Sequence, residues 1–299
     1  MTHAKGVVVV GDLLYDLLSK ADGPVALGMD TFTGILARPG GSGANAAAWL
    51  AYLGVETHLV ARAGDDVFGR YLAGELDSGG VTPHVAYDPV LETGKVFVLV
   101  DGMGERTMIT SRGASENLSP NDLPTDLFNN QNHLHLSGYT FSGGTRRETA
   151  HRAMTLARQN AMTVSIDPSS VPLLKDIGPR NFLDWTGGAD IILPNHEEGS
   201  YLTGKDTPKD IANFLLDHYP TIILKLGPEG GLFADNTGTR ARLPAKPTQV
   251  VDTTGAGDAL CAGFLHAWLQ GATPPTNALE SGLNTASQAV SRIGGRPDA

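Results

Sequence analysis

From Pro120 onward the chain alternates between short apolar, largely β-branched runs and longer helical stretches. Strand-like segments fall at 133–136, 163–166, 191–193 and 221–226, with helical segments such as 145–160 and 208–218 between them. This alternation constrains the fold more than any other feature. Strands joined through helices run parallel, and a parallel sheet needs helices on both faces to bury its two apolar sides. The first strand, Val7–Val10, is four consecutive valines ended by Gly11 and Asp12. An unbroken apolar run of that length reads as a strand buried on both faces.

The N-terminal half is less regular. Segment 57–61 reads as a strand and 67–76 as a helix. Residues 12–38 scatter Asp, Gly and Pro among short apolar pieces, and 95–101 with 107–110 reads as a hairpin across Gly102, Met103 and Gly104. Two β-rich pieces, at about 12–38 and 86–112, stand apart from the α/β body and are expected to pair as a small lid. The end is helical, at 257–269 and 276–292. The expectation is one α/β domain over 1–299, a mostly parallel central sheet between helical layers, and a small β-sheet lid.

Composition removes several classes of function. The formal net charge is −10 and aromatics are 6% of 299 residues, which argues against nucleic-acid or anionic-membrane partners. The longest apolar runs fall far short of a membrane span, and the first eleven residues lack the apolar core of a secretory signal. A lone cysteine, Cys261, excludes an internal disulfide, so the expected location is cytoplasmic.

Three glycine-rich stretches compete as phosphate sites. Gly199 to Lys205 matches GxxxxGK but places Asp206 where a P-loop needs Ser or Thr, so it reads as a helix ending at Gly204. Gly41-Ser-Gly43-Ala-Asn45-Ala46 fits GxGxx[GA], yet about 30 residues separate it from the first strand, and Pro39 precedes it. A dinucleotide-binding fold requires the motif directly after that strand. The third stretch, Asp252-Thr-Thr-Gly255-Ala256-Gly257-Asp258, opens an apolar helix. Small residues there leave backbone N–H groups bare at a positive helix end, which suits an anion. A carboxylate at that spot repels an anion. Either Asp258 is an ordinary favourable first-turn acid, or it takes a proton from an attacking hydroxyl while the amides hold phosphoryl charge.

The second and third stretches together resemble the two motifs of the PfkB (ribokinase-like) carbohydrate kinases. Pro194-Asn195-His-Glu-Glu198 is similar to the NxxE element of that family, and Lys225-Leu-Gly227-Pro-Glu-Gly230-Gly231 to its nucleotide loop. Order and spacing agree over essentially the whole chain. The resemblance implies a ribokinase-like three-layer sandwich and ATP-dependent phosphorylation of a small sugar. Asp258 would be the general base, and the amides of Gly255, Ala256 and Gly257 the anion hole. Asn195 and Glu198 would organise Mg2+ and the ATP phosphates through water. Lys225, Gly227 and Gly230 would border the nucleotide, and Asp12, Asp16, Gly40, Gly41 and Asn45 the sugar. Asp252 would lie beside a monovalent cation such as K+, with partners near 287–295. The lid sheet offers a face for a homodimer.

Departures from ribokinase itself argue against ribose: Ser42 replaces a lysine, Leu14 an asparagine, and Ser137 is not acidic. A nucleoside kinase of the same family is the alternative enzyme, and a non-catalytic sugar or nucleotide sensor the alternative from another class. Arg106 and Arg112 read as solvated or ion-paired arginines before they read as contacts for an anionic sugar. Asp167 ends a strand and is either a site residue or a turn carboxylate before Pro168. His133 and His135 share a strand face and read as structural, Cys261 as core, and Trp49 and Tyr52 as packing.

Overall fold

The computed structural model describes residues 6–20, 28, 30–100 and 106–297. In chain order, β1 (Val7–Val10), β2 (Leu14–Lys20) and β3 (Ile35–Gly40) lead into α1 (Ser42–Tyr52). Next come β4 (Thr57–Gly64), α2 (Val67–Ser78), β5 (Val81–Asp88), β6 (Thr93–Val100) and β7 (Arg106–Gly113). The regular half carries β8 (His133–Ser137), α3 (Gly144–Gln159), β9 (Thr163–Asp167), α4 (Val171–Ile177) and α5 (Pro179–Trp185). It continues through β10 (Ile191–Ile192), α6 (His196–Thr203), α7 (Pro208–Leu215) and β11 (Thr221–Lys225). The antiparallel strands β12 (Gly231–Asp235) and β13 (Arg240–Leu243) precede α8 (Ala256–Leu269) and α9 (Thr276–Val290).

Nine strands form the central sheet in the order β13-β12-β11-β10-β9-β8-β1-β4-β5. Every pair from β11 to β5 is parallel, and only β12 and β13 pair antiparallel. The four valines of β1 divide by period 2. Val8 and Val10 join the core under α3 to α7, while Val7 and Val9 join the core under α1, α2, α8 and α9. All four are 0% exposed, so burial of each is worth roughly 1.5–3 kcal/mol. Chain order reverses at β1, with β8 on one side and β4 on the other, and open α/β sheets bind ligands at the strand ends beside such a reversal.

The second sheet has the order β3-β2-β6-β7. Its central pair, β2 with β6, is parallel, with Tyr15 opposite Lys95 and Leu18 opposite Val98. The two β-rich pieces of the sequence therefore do pair. Their expected boundaries need correction. Segment 12–38 is not irregular at its described ends, which form β2 and most of β3, and 86–88 belongs to β5 at the edge of the central sheet. Pro39 lies within β3 opposite Tyr15. It is tolerated because β3 is an edge strand, where one side of the backbone has no ladder to lose. The expected turn at 102–104 lies outside the described residues, although β6 and β7 pair antiparallel as a hairpin requires.

Candidate active site

The site begins with two backbone approaches. Gly41 has φ of 95°, and a Cβ there would stand 2.5 Å from the Asp12 carbonyl oxygen. Only glycine allows α1 to start so close to the end of β1. Gly255, at φ 72°, precedes α8, and a Cβ on it would meet the Gly295 backbone at 2.5 Å. No side chain caps the α8 N-terminus. Its first turn thus presents backbone amides beside Asp258, and the helix dipole adds positive potential.

These approaches bring the two motifs together. Ser42 Oγ donates to Asp258 Oδ1 at 2.8 Å, and Asn45 Nδ2 donates to Oδ2 at 3.0 Å. Burial pushes the Asp258 carboxyl up to about 7, and the neighbouring Asp167 charge adds to the rise. The hydrogen bonds from Asn45 and Ser42, and the Lys225 charge, pull the other way. A base poised near neutrality suits proton transfer at physiological pH. The lysine-to-serine departure thus places a donor on Asp258.

A cavity of about 520 Å³ opens above Asp258. Of the residues singled out from sequence, Asp12, Asp16, Gly41, Asn45, Asn195, Glu198, Lys225, Gly227, Gly255, Gly257 and Asp258 line it. A groove of about 430 Å³ next to it is lined by Ala256 and Gly230. Lys225, Gly227, Thr253 and Gly257 border both spaces. Gly40 and Asp252 line neither. A Cβ on Gly40 would overlap the Asp16 carboxylate. Asp252 ties two loops together: Oδ1 accepts from Thr254 N (2.9 Å) and Oγ1 (2.7 Å), and Oδ2 from Gly294 N (3.0 Å).

The inner side of the small sheet covers the cavity with Leu14, Val96, Val98, Met108, Thr110 and Arg112. Alternation along each strand is what turns these residues inward together. Arg112 stacks over Tyr139, 3.9 Å from the ring centre, and Nη1 lies 3.7 Å from Asp12 Oδ2. It is an ion-paired lid arginine that also faces the cavity. The side chain of Arg106 lies outside the described residues. Asp16 is pushed up to about 7 by burial and by Asp12, against the Arg296 charge. Its Oδ1 is buried without a hydrogen-bond partner among the described residues.

Asp167 lines the cavity and also makes the turn bond that follows its strand. Its Oδ2 accepts from Lys225 Nζ at 2.7 Å and from the Cys261 thiol at 3.2 Å. Burial alone would raise its carboxyl and lower the lysine, but their mutual attraction reverses both shifts. Ser169, which follows at φ 74°, is an uncommon conformation for a residue with a Cβ; its N donates to Asp167 Oδ1 at 3.0 Å. Cys261 is core, as expected, but its thiol adjoins a buried ion pair. Asp167 ends parallel strand β9, where the strand-end rule pointed, whereas Lys225, which ends β11, was marked by the family resemblance. No comparable signal marked Tyr139, and Ser42 was marked only as a departure from ribokinase.

Asn195 and Glu198 form a capping box at the start of α6. Asn195 Oδ1 accepts from Glu198 N at 2.9 Å, and Glu198 accepts from Asn195 N at 2.8 Å and Nδ2 at 2.7 Å. Burial, partly countered by Lys225, pushes Glu198 up to about 7. Both of its oxygens already serve Asn195, and no cluster of three metal-ligating side chains occurs among the described residues. This donor set suits a Mg2+ brought by phosphates and touched through water, the usual habit of that ion.

Gly204 ends α6 in the left-handed conformation, as its helix-end reading requires. His133 bonds Thr163 and Ser165, and His135 bonds Ser165; burial pushes them down to about 3 and about 4. Trp49 is buried, with Nε1 donating to Gly295 O at 3.0 Å, and Tyr52 is half exposed. No helix among the described residues is long and apolar enough to cross a membrane.

The profile of the pfkB family carbohydrate kinases matches residues 4–299. A fructokinase of Klebsiella pneumoniae is 32% identical over 266 residues, covering 86% of this chain and 82% of the relative. An ATP-dependent ribose-1-phosphate kinase of Halopiger xanaduensis is 30% identical over 258 residues, covering 86% and 80%. The crystal structure of an aminoimidazole riboside kinase from Salmonella enterica, complexed with aminoimidazole riboside and an ATP analogue, superposes with a TM-score of 0.82. It is 26% identical, and 97% of this chain and 95% of that one are covered. The three-layer architecture with its small second sheet is ribokinase-like. The chain belongs to the PfkB family of carbohydrate kinases, ATP-using phosphotransferases with an alcohol group as acceptor.

Proposed function

We propose that the protein transfers the γ-phosphoryl of ATP to a hydroxyl of a small sugar, within one domain over 1–299 whose small sheet acts as a lid. One observation carries the reading: the Asp258 carboxylate, held by Ser42 and Asn45, stands at the bare N-terminus of α8 where the cavity and the groove meet. The sugar takes the cavity and the nucleotide the groove. Asp12, Asp16 and Asn45 bind hydroxyls, with Gly40 and Gly41 shaping the wall behind them. A sugar hydroxyl supplies the donor that Asp16 Oδ1 lacks.

Asp258 accepts the proton of the attacking hydroxyl, a contribution of about 10²–10⁴ in rate. The amides of Gly255, Ala256 and Gly257 and the α8 dipole stabilise phosphoryl charge. Lys225, Gly227 and Gly230 border the nucleotide. Asn195 and Glu198 would hold Mg2+ through water, where it would supply neutralisation of the ATP phosphate charge. A K+ ion beside Asp252 would support the loop that leads into the anion hole. The lid also offers Ile35, Leu36 and Ile109, all exposed, as a homodimer face.

A nucleoside acceptor is the second reading, favoured by the apolar lid surface of Leu14, Val96, Val98 and Met108, which suits a base. The experiment is ADP release with Mg2+ across fructose, ribose, 2-keto-3-deoxygluconate and nucleosides, repeated with Na+ in place of K+, with sedimentation of the same preparation. A sugar-dependent signal from a dimer, higher in K+, is expected. Turnover only with nucleosides selects the second reading. Ligand-induced stabilisation without turnover across the panel overturns both in favour of a sensor.

A further inference from the structure

The chain end returns beneath the site. Gly294 N bonds Asp252, Gly295 O accepts from Trp49, and the next residue, Arg296, drives its guanidinium into the wall behind Asn45. Arg296 is 6% exposed. Its Nη2 donates to Gly40 O at 2.8 Å, Nε donates to Asn45 Oδ1 at 3.3 Å, and Nη1 pairs with Glu75 of α2.

The Asn45 contact has a direction. An asparagine amide has an acceptor end and a donor end of nearly equal size. With Oδ1 taken by the guanidinium, Nδ2 faces Asp258 Oδ2 at 3.0 Å. Turning the amide over would set Oδ1 against a carboxylate and Nδ2 against a cation, losing two hydrogen bonds and creating two repulsions. We propose that Arg296 is a positioning residue for phosphoryl transfer: through Asn45 it fixes a hydrogen-bond donor on the Asp258 carboxylate.

Lysine cannot replace it, because a point charge cannot hold three acceptors in one plane. Glu75 anchors the outer side of the fork and Gly40 the inner side. The other charged and titratable groups around the two ends are Asp16 and Tyr71 for Arg296, and Asp167, Lys225 and Cys261 for Asp258. Among the described residues none of these donates to Asn45 Oδ1; Asp258 draws Nδ2, and Arg296 is the group that holds Oδ1.

The inference rests on Asp258 as the base, so the test separates the two. Arg296→Lys is made in the native chain and in an Asn45→Ala background, and kcat is measured against pH. In the native chain kcat is expected to fall by about tenfold or more, with its acid limb moved to higher pH as Asp258 loses a donor. In the Asn45→Ala background the same substitution should cost less than about twofold, because the route it acts through is gone. Equal losses in both backgrounds, or an unmoved acid limb, overturn the proposal. If Arg296→Lys fails to fold, Glu75→Gln loosens only the outer anchor: a smaller shift in the same direction supports the proposal, and an unchanged profile overturns it. An active Asp258→Asn variant would sink the base itself. An inactive one, with no coupling between positions 296 and 45, would sink only this inference.

Discussion

Replacing Asp258 by asparagine should remove activity and raise stability, with both effects tied to one partly buried carboxylate. Asparagine has nearly the same shape but accepts no proton from the attacking hydroxyl. Sugar-dependent ADP formation should fall by about 10²–10⁴, while ATP still binds. The stability effect has a worked sign. In the folded protein Asp258 holds its proton up to about 7, against 3.8 for an ordinary aspartate. Between those values the native state binds more protons than the unfolded chain, so stability falls as pH rises through that window and is flat above it. At about 1.36 kcal/mol per tenfold in proton affinity, the penalty is at most about 4 kcal/mol. Asp258 keeps an edge toward the cavity, and asparagine must turn its amide nitrogen toward Ser42 or Asn45, so about 1–2 kcal/mol is the expected net gain at pH 8. Near pH 4 the gain should vanish. Thermal melting of both proteins from pH 4 to 8.5 checks this, and taking the difference between them cancels Asp16 and Glu198, which shift in the same direction. Activity within tenfold of the native protein would refute the base. A melting difference flat with pH would refute the account of its burial.

Two further substitutions probe the floor and entrance of the proposed anion hole. Lys225→Met leaves Asp167 buried and unpaired and should cost about 3–5 kcal/mol; adding Asp167→Asn should recover much of it, as denaturant midpoints will show. No recovery would mean the pair is not the stabilising unit. Gly255→Ala forces a Cβ into the left-handed conformation and onto Gly295. A loss of about 1–3 kcal/mol is expected, together with a fall in kcat, and a fully active variant would show that the α8 entry tolerates displacement.

The local physics of the chain determined much of the central layer. Four valines in a row, and apolar runs spaced by helical stretches, allow little except a parallel sheet covered on both faces. The glycines at 41 and 255 announced backbone approaches, and the acid at 258 stood at a bare helix end. Those properties act between neighbours in sequence and can be read there. What remained hidden depends on pairings between distant segments. The β2–β6 ladder joins residues about 80 apart, so segment 12–38 looked irregular and β5 was divided wrongly. The antiparallel edge of β12 and β13 is local, pairing residues 6 to 12 apart, and escaped because its strands are only five and four residues long. At the site, only the tertiary structure decided that Ser42 and Asn45 donate to Asp258, that Lys225 and Asp167 meet beneath Gly257, and that Arg296 reaches Asn45 from the chain end. A hydrogen bond or an ion pair is fixed by distances of a few ångströms, and a linear sequence carries no distances between residues some 200 positions apart.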